Sequence, residues 1–420
     1  MTLSSTRPTF LRAGAAALAA SALPGRVWAA TPTVKIGYVD SFSGVFADIG
    51  SHHKLGVQLA IDEANKSGRV KYELVTADDK SSPAGGTTEL RRLLDQEKID
   101  ALMFGTSSGV SLALAPLSLA GGVFQLSINP NDTSITGKNA SKNVFRFAPT
   151  SRMIIPALSQ RVFAVGKKWY FLVSDYAFGR DGYARMSEAL KRAGGTEAGM
   201  DLFPLGTRDY SPILTKVRSS DAEVVMICSG GLDVANILKG FVDLGLQKKM
   251  HVAGLSLEDT YDQILPLDEL AGSTFGILWA PSVSDSAKAL AQKLAKAIPG
   301  RVTSRYYMGY LTTSQLIDRM NAAGTTKCES LVAAFNDHTF NAYKARPSVW
   351  RSCDHQCESD VYAGSIVSSK RIAKTNFMFD VVSDVPGPNA LGSCNEPDAV
   401  AAVANMSKQT IGAREAVSLK

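Results

Sequence analysis

The chain has 420 residues, 45% of them apolar and 20% charged, with a formal net charge of +6. That length allows two lobes, each with a full-sized core, and the positive excess is spread along the chain rather than gathered into a basic run. Neither a nucleic acid nor an acidic polymer is therefore expected as a partner, and the excess gives at most a mild preference for anionic solutes.

The first thirty residues read as an address. Arg7 and Arg12 give a positive start, residues 13–23 form an alanine-rich apolar run, and Val27-Trp28-Ala29 carries small residues at signal-peptidase spacing. A signal peptide over 1–29, cleaved near Ala29/Ala30, is expected, with the mature chain in the periplasm. The run falls short of the roughly 20 apolar residues that a spanning helix needs. Pro8 stands where a twin-arginine signal would place its second arginine, so the export route, Sec or Tat, stays open.

Strand-length apolar runs then alternate with helical patterns. Strands are predicted at 34–39, 72–77, 101–104 and 123–126, with helices at 51–66, 87–96 and 112–120 between them. The rhythm restarts after Phe145-Arg146-Phe147-Ala148-Pro149-Thr150. Strands at 169–173, 197–203, 224–228 and 251–253 enclose helices at 183–192, 212–219 and 234–244. A third stretch offers a strand at 275–279 and helices at 287–297 and 306–322. Continuous apolar strands in a β-α-β-α order predict an α/β protein, its parallel sheets covered on both faces in two doubly wound lobes. Crossings near Pro149, Phe275 and Pro347 would assign 30–149 and 276–346 to lobe 1. Lobe 2 would take 150–275 and 347–385, leaving 386–420 as a C-terminal tail.

Cys228 sits in an apolar strand and reads as an inert buried thiol. Cys328, Cys353, Cys357 and Cys394 cluster late in the chain, where an oxidising compartment favours one or two disulfides whose pairing the sequence does not give. Cys353 and Cys357, with His355 between them, have poor spacing for a zinc knuckle.

Ligands of open α/β sheets sit at the carboxyl ends of strands, near helix N-termini. Several loops there are dense in Ser, Thr, Asn and Gly. Gly105-Thr106-Ser107-Ser108-Gly109 fits the G-x-S-x-G nucleophile elbow. A secreted serine hydrolase using Ser107 is thus one reading, with His251, His338 or His355 as its base. No His-Gly-Gly oxyanion loop precedes the motif, however, and a binding loop needs the same small residues. Asp78-Asp79 and His52-His53 lack further ligands at a fixed spacing. The aspartates read as a strand-end turn, the histidines as a partly exposed first helical turn. With neither G-x-x-x-x-G-K-[ST] nor G-x-G-x-x-G present, no cofactor and no metal are expected. Tyr176 and Phe178 follow the first strand of the second lobe, where an aromatic covers a ligand or packs a lobe edge.

These residues resemble the leucine/isoleucine/valine-type substrate-binding proteins of ABC importers. The carriers are Val34-Lys35-Ile36-Gly37, Ser43-Gly44, the run Ala60 through Gly68, Asp78-Asp79, the 105–109 loop, Phe145-Arg146-Phe147, Asp175-Tyr176-Ala177-Phe178-Gly179 and Asp243-Leu244-Gly245-Leu246. They occur in the family's order over about 34–334. The resemblance implies the type I periplasmic binding fold, two lobes on a three-strand hinge, a small-molecule ligand, a membrane permease as partner and a monomeric receptor. It implies that Ser107, Ser108, Asn129 and Asn131 hold the ligand's polar head. Tyr176 and Phe178 would cover the ligand, and the 43–49 loop with Ser43 would line its far end.

The acid that pairs with an amino-acid ligand's ammonium falls at Ser256, with Glu258 reaching that place only through a gap, and the aromatic expected near Gly230 is missing. A buried, unpaired ammonium would cost several kcal/mol. A carboxylic acid, an amide or a small polar metabolite is therefore expected over a standard amino acid. A ligand-sensing receptor would present the same binding lobe.

Overall fold

Along the first strand Val34, Ile36 and Tyr38 alternate with Val39, and the two sets are buried in different cores on opposite faces of the sheet. The computed structural model describes residues 31–298 and 300–419; the expected signal peptide lies outside the described residues. The first lobe carries β1 (Thr33–Asp40), β2 (Lys71–Asp78), β3 (Ala101–Phe104), β4 (Phe124–Ser127) and β5 (Val144–Arg146). All are parallel, in the order β2-β1-β3-β4-β5. Helices α1 (Ala47–Asn65), α2 (Pro83–Arg92) and α3 (Ser108–Ala120) connect them.

The second lobe holds α4 (Ser151–Val165), β6 (Lys168–Ser174), α5 (Ala177–Arg192), β7 (Thr196–Phe203), α6 (Ser211–Ser219), β8 (Val224–Cys228), α7 (Leu232–Asp243), β9 (His251–Gly254) and β10 (Thr274–Ile277). Its central strands are apolar on both faces. Tyr170, Leu172, Val225 and Ile227 enter one core, and Trp169, Phe171, Val224 and Met226 the other. The chain then returns to the first lobe as the helices Asp285–Leu294, Ser304–Ala323 and Cys328–Phe335, whose apolar faces complete its main core. A three-stranded antiparallel sheet follows, made of β11 (His338–Phe340), β12 (Ser348–Trp350) and β13 (Cys357–Glu358).

Three features differ from expectation. The second lobe's sheet is mixed, because β14 (Val361–Ile366) and β15 (Phe379–Val385) add antiparallel strands at its edge. β10 leads out towards the first lobe and β14 leads back in, so the two must run in opposite directions. The third crossing also falls after β13 rather than near Pro347. Trp350 packs against Phe335 at 5.2 Å and Phe340 at 5.4 Å, which keeps the segment in the first core together with Cys357. The 386–419 stretch is not a loose tail. Ala390 and Leu391 enter a second-lobe core, whereas Gly412 donates its N–H to Leu119 and Leu419 its own to Gly324.

Cys353 and Cys394 are disulfide-bonded, with Cα atoms 6.1 Å apart, and Cys228, Cys328 and Cys357 are free and buried. The bond rules out a Cys353/Cys357 metal knuckle. His355 stacks on Phe145 at 3.9 Å and its Nδ1 faces the Val144 carbonyl; burial brings its pKa down to about 4.

One close approach bears on the site. α1 crosses the helix Ser304–Ala323 at Gly56 and Gly309, where a Cβ would run into the carbonyls of Tyr306 and His53 respectively. Glycine at both positions lets the two backbones touch and fixes the start of the 304–323 helix over the cleft.

Candidate functional site

The strand ends of the two lobes face one another across a closed cleft. Leu232 donates its backbone N–H to Val45 across it at 3.1 Å, Thr133 bonds Asp181 through both N and Oγ1, and Thr260 bonds Asp48. Between the lobes lies a narrow cavity of about 20 Å³. Ser108, Asn129, Asn131, Tyr176, Phe178 and Ser256 all line it. These expected residues are thus brought together from both lobes.

Ser107 and Ser43 are not among the lining residues. Ser107 is the residue before α3, its carbonyl taken by the N–H of Ser111, and it is Ser108, in the helix's first turn, that reaches the cavity. Ser43 is exposed and donates to Asp78 at 2.7 Å. Asp78 and Asp79 stitch the 41–43 loop in place. Asp78 accepts from Phe42 N, and Asp79 from Ser41 Oγ at 2.6 Å.

Beneath the cavity lies a buried polar cluster. Asp40 accepts from Tyr38 Oη at 2.5 Å and from Thr106 Oγ1 at 2.7 Å, and it pairs with His53 Nδ1 at 3.0 Å. His53 is fully buried rather than partly exposed as expected, because α1 starts at Ala47 and turns it inward. Burial lowers its pKa, against the opposing pull of Asp40. His52 bonds the Asp48 carbonyl instead, so the two histidines point to different partners. None of the hydrogen bonds of His52, His53, His338 or His355 reaches Ser107.

Sequence reasoning missed Arg305, and named Glu258 only as a distant substitute. Both line the cavity, and Arg305 Nε donates to Glu258 Oε2. The signal for Arg305 was indirect: a buried acid needs a partner. Gly230 explains the missing aromatic. A Cβ there would stand 3.2 Å from Tyr176 Oη, so the tyrosine, whose phenol is pushed up by burial, occupies the space.

Comparison with known proteins places this arrangement. A family profile described as periplasmic binding protein matches residues 33–371. A Leu/Ile/Val-binding protein homolog 6 from Brucella melitensis is 30% identical over 218 residues, covering 51% of this chain and 55% of the relative. The chain thus spans about half the length of that relative. Among solved structures, a periplasmic binding protein from Burkholderia mallei superposes with a TM-score of 0.80 at 22% identity, covering 87% of this chain and 97% of the other. A Rhodopseudomonas palustris solute-binding protein, solved with 4-hydroxybenzoate, gives 0.77 at 20% identity, with 86% and 99% covered. The fold is the type I periplasmic binding fold.

Proposed function

The chain belongs to the periplasmic binding protein family, and from that membership we propose that it is the exported solute-binding component of an ABC importer, capturing a small carboxylate by hinge closure. Proteins of this class bind without chemistry, so the chain is not an enzyme and Ser107 is not a nucleophile. The closed form, with ligand touching both lobes, is the form a membrane permease would recognise.

One observation carries the carboxylate. α1, α3, α5 and α7 begin beside the cavity, after Phe46, Ser107, Tyr176 and Gly231, and none of the four has a side-chain cap. Their positive dipole ends favour an anion, as do their first-turn N–H groups other than those of Ala47, Leu232 and Val234, which bond the carbonyls of Gly44, Val45 and Gly231. Arg305 and Glu258 pair with each other, so neither is left over for the ligand. The closed cleft leaves room for little more than a water molecule, so the ligand class rests on the helix ends and not on the volume. The 4-hydroxybenzoate of the R. palustris neighbour is a carboxylate.

The test is a thermal-shift screen of the mature chain against hydroxybenzoates, aliphatic acids, amides, amino acids and polyamines. A ligand at a hundredfold excess over Kd adds about 2.7 kcal/mol to the folded state. Stabilisation by acids supports the reading; stabilisation by amines alone overturns it.

A further inference from the structure

We infer that Arg305 sets this cavity against ligands carrying an ammonium group, because it supplies from the protein itself the cation that pairs with Glu258. The inference deepens the carboxylate reading and rests on it. Among the described residues lining the cavity, Glu258 is the one acid and Arg305 the one base. Their side chains are 2% and 4% exposed. A carboxylate buried to that degree requires a counter-charge. In a binding cavity the counter-charge comes from the ligand or from the protein, and here it is the guanidinium.

The pair is built across the cleft. Glu258 stands on the loop after β9 in the second lobe, and Arg305 in the first turn of the helix Ser304–Ala323 of the first. Its surroundings fix it. Asp259 accepts from Ser304 N at 2.7 Å and Ser304 Oγ at 3.0 Å, and Arg301 Nη2 meets Asp262 at 2.9 Å. The Gly56–Gly309 crossing holds the helix against α1. Among the described residues no second acid lines the cavity, and two buried acids near it are already engaged: Asp40 by Tyr38, His53 and Thr106, and Asp233 by Gly206 N. A ligand ammonium would have to displace Arg305 or be buried without a partner.

Ligand pairs that differ only by the α-ammonium test this directly: 4-methylpentanoate with L-leucine, 3-phenylpropanoate with L-phenylalanine, and 4-hydroxyphenylacetate with 4-hydroxyphenylglycine. Titration calorimetry on the wild type should show at least a tenfold preference for the acid lacking the ammonium. Arg305→Met leaves Glu258 unpaired and should move the ratio at least tenfold towards the amino acid, and Glu258→Gln in the same chain should abolish that shift. Where Arg305→Met does not fold, Glu258→Gln alone decides. It frees the guanidinium and should move the ratio further towards the acid. A wild type that prefers the amino acid, or ratios unmoved by these substitutions, overturns the inference while leaving the carboxylate reading intact. Failure of every acid to bind any of the proteins overturns both.

Discussion

The hydroxyl oxygen of Ser108 accepts the backbone N–H of Asn131 at 3.1 Å, and at the same distance that of Asp132. Its hydrogen stays available as a donor towards the cavity that Ser108 lines. One side chain therefore shapes the 131–132 loop and presents a ligand contact. Ser108→Ala strands two buried donors, at about 1–3 kcal/mol for each one left unsatisfied. A lower Tm and at least tenfold weaker ligand binding are expected, read by scanning and titration calorimetry. A lower Tm with Kd unchanged would take Ser108 out of the binding site.

Gly231 sits at φ +68°, and a Cβ there would lie 2.6 Å from the Val45 carbonyl oxygen of the other lobe. Gly231→Ala adds two separable penalties. The backbone, with ψ at −153°, lies in a region essentially reserved for glycine and costs an alanine about 1–3 kcal/mol in open and closed forms alike, which lowers Tm. The collision with Val45 exists only when the lobes meet, so it subtracts from ligand affinity by differential destabilisation of the closed state. Expected is a loss of affinity larger than that of Gly245→Ala, which has a similar φ but no atoms within reach of its Cβ. Equal affinities for the two variants would mean that the ligand-bound form is less closed than this structure.

The strands at 101–104 and 224–228 were readable to the residue, because unbroken apolar runs in a doubly covered sheet leave little choice. The helices at the cavity were not. From sequence α1, α3 and α5 start at 51, 112 and 183, whereas they begin at Ala47, Ser108 and Ala177. Their first turns face the cavity, so they lack the apolar stripe that marks a helix start, and of their N-cap residues Phe46, Ser107 and Tyr176 only Ser107 is of a capping type. The 351–356 stretch is dense in polar residues, yet Arg351, Asp354, His355 and Gln356 are buried because they satisfy one another and Arg146. Gln356 Oε1 accepts from Arg146 Nε at 2.8 Å, and Asp354 binds Arg351. Of the residues that line the cavity, those carried by loop chemistry were named from the sequence. Arg305 was not, since its role comes from a partner 47 residues away that only the closed cleft brings to it.

The Cys353–Cys394 bond ties the C-terminal stretch to the first lobe across 41 residues. Cross-links of this size typically add about 2–4 kcal/mol. Cys394→Ser, or reduction, should lower stability by that order. The remaining thiols of Cys228, Cys328 and Cys357 are buried and their pKa values raised by burial. They should stay silent to a thiol reagent in the native protein and react once it is unfolded. Fast native labelling at any of the three would contradict the burial.

Asp79 is fully buried, and its Oδ2 has no hydrogen-bond partner. Burial, with repulsion from Asp40 adding to it, lifts its pKa from 3.8 to about 7, while the bond from Ser41 pulls the other way. Between these values the folded chain holds a proton that the unfolded chain has released. Its contribution to stability therefore declines as pH rises from about 4 to about 7 and is flat above that, by an amount on the order of 4 kcal/mol. Asp79→Asn removes the titration. The stability of the wild type relative to this variant should thus fall steadily across that window, measured by urea unfolding at several pH values. His53, whose lowered pKa gives the opposite slope on the acid side, is present in both proteins and cancels in the difference. A difference that does not change with pH would show Asp79 to be ionised in the folded state, paired with a cation that the closed cleft does not display.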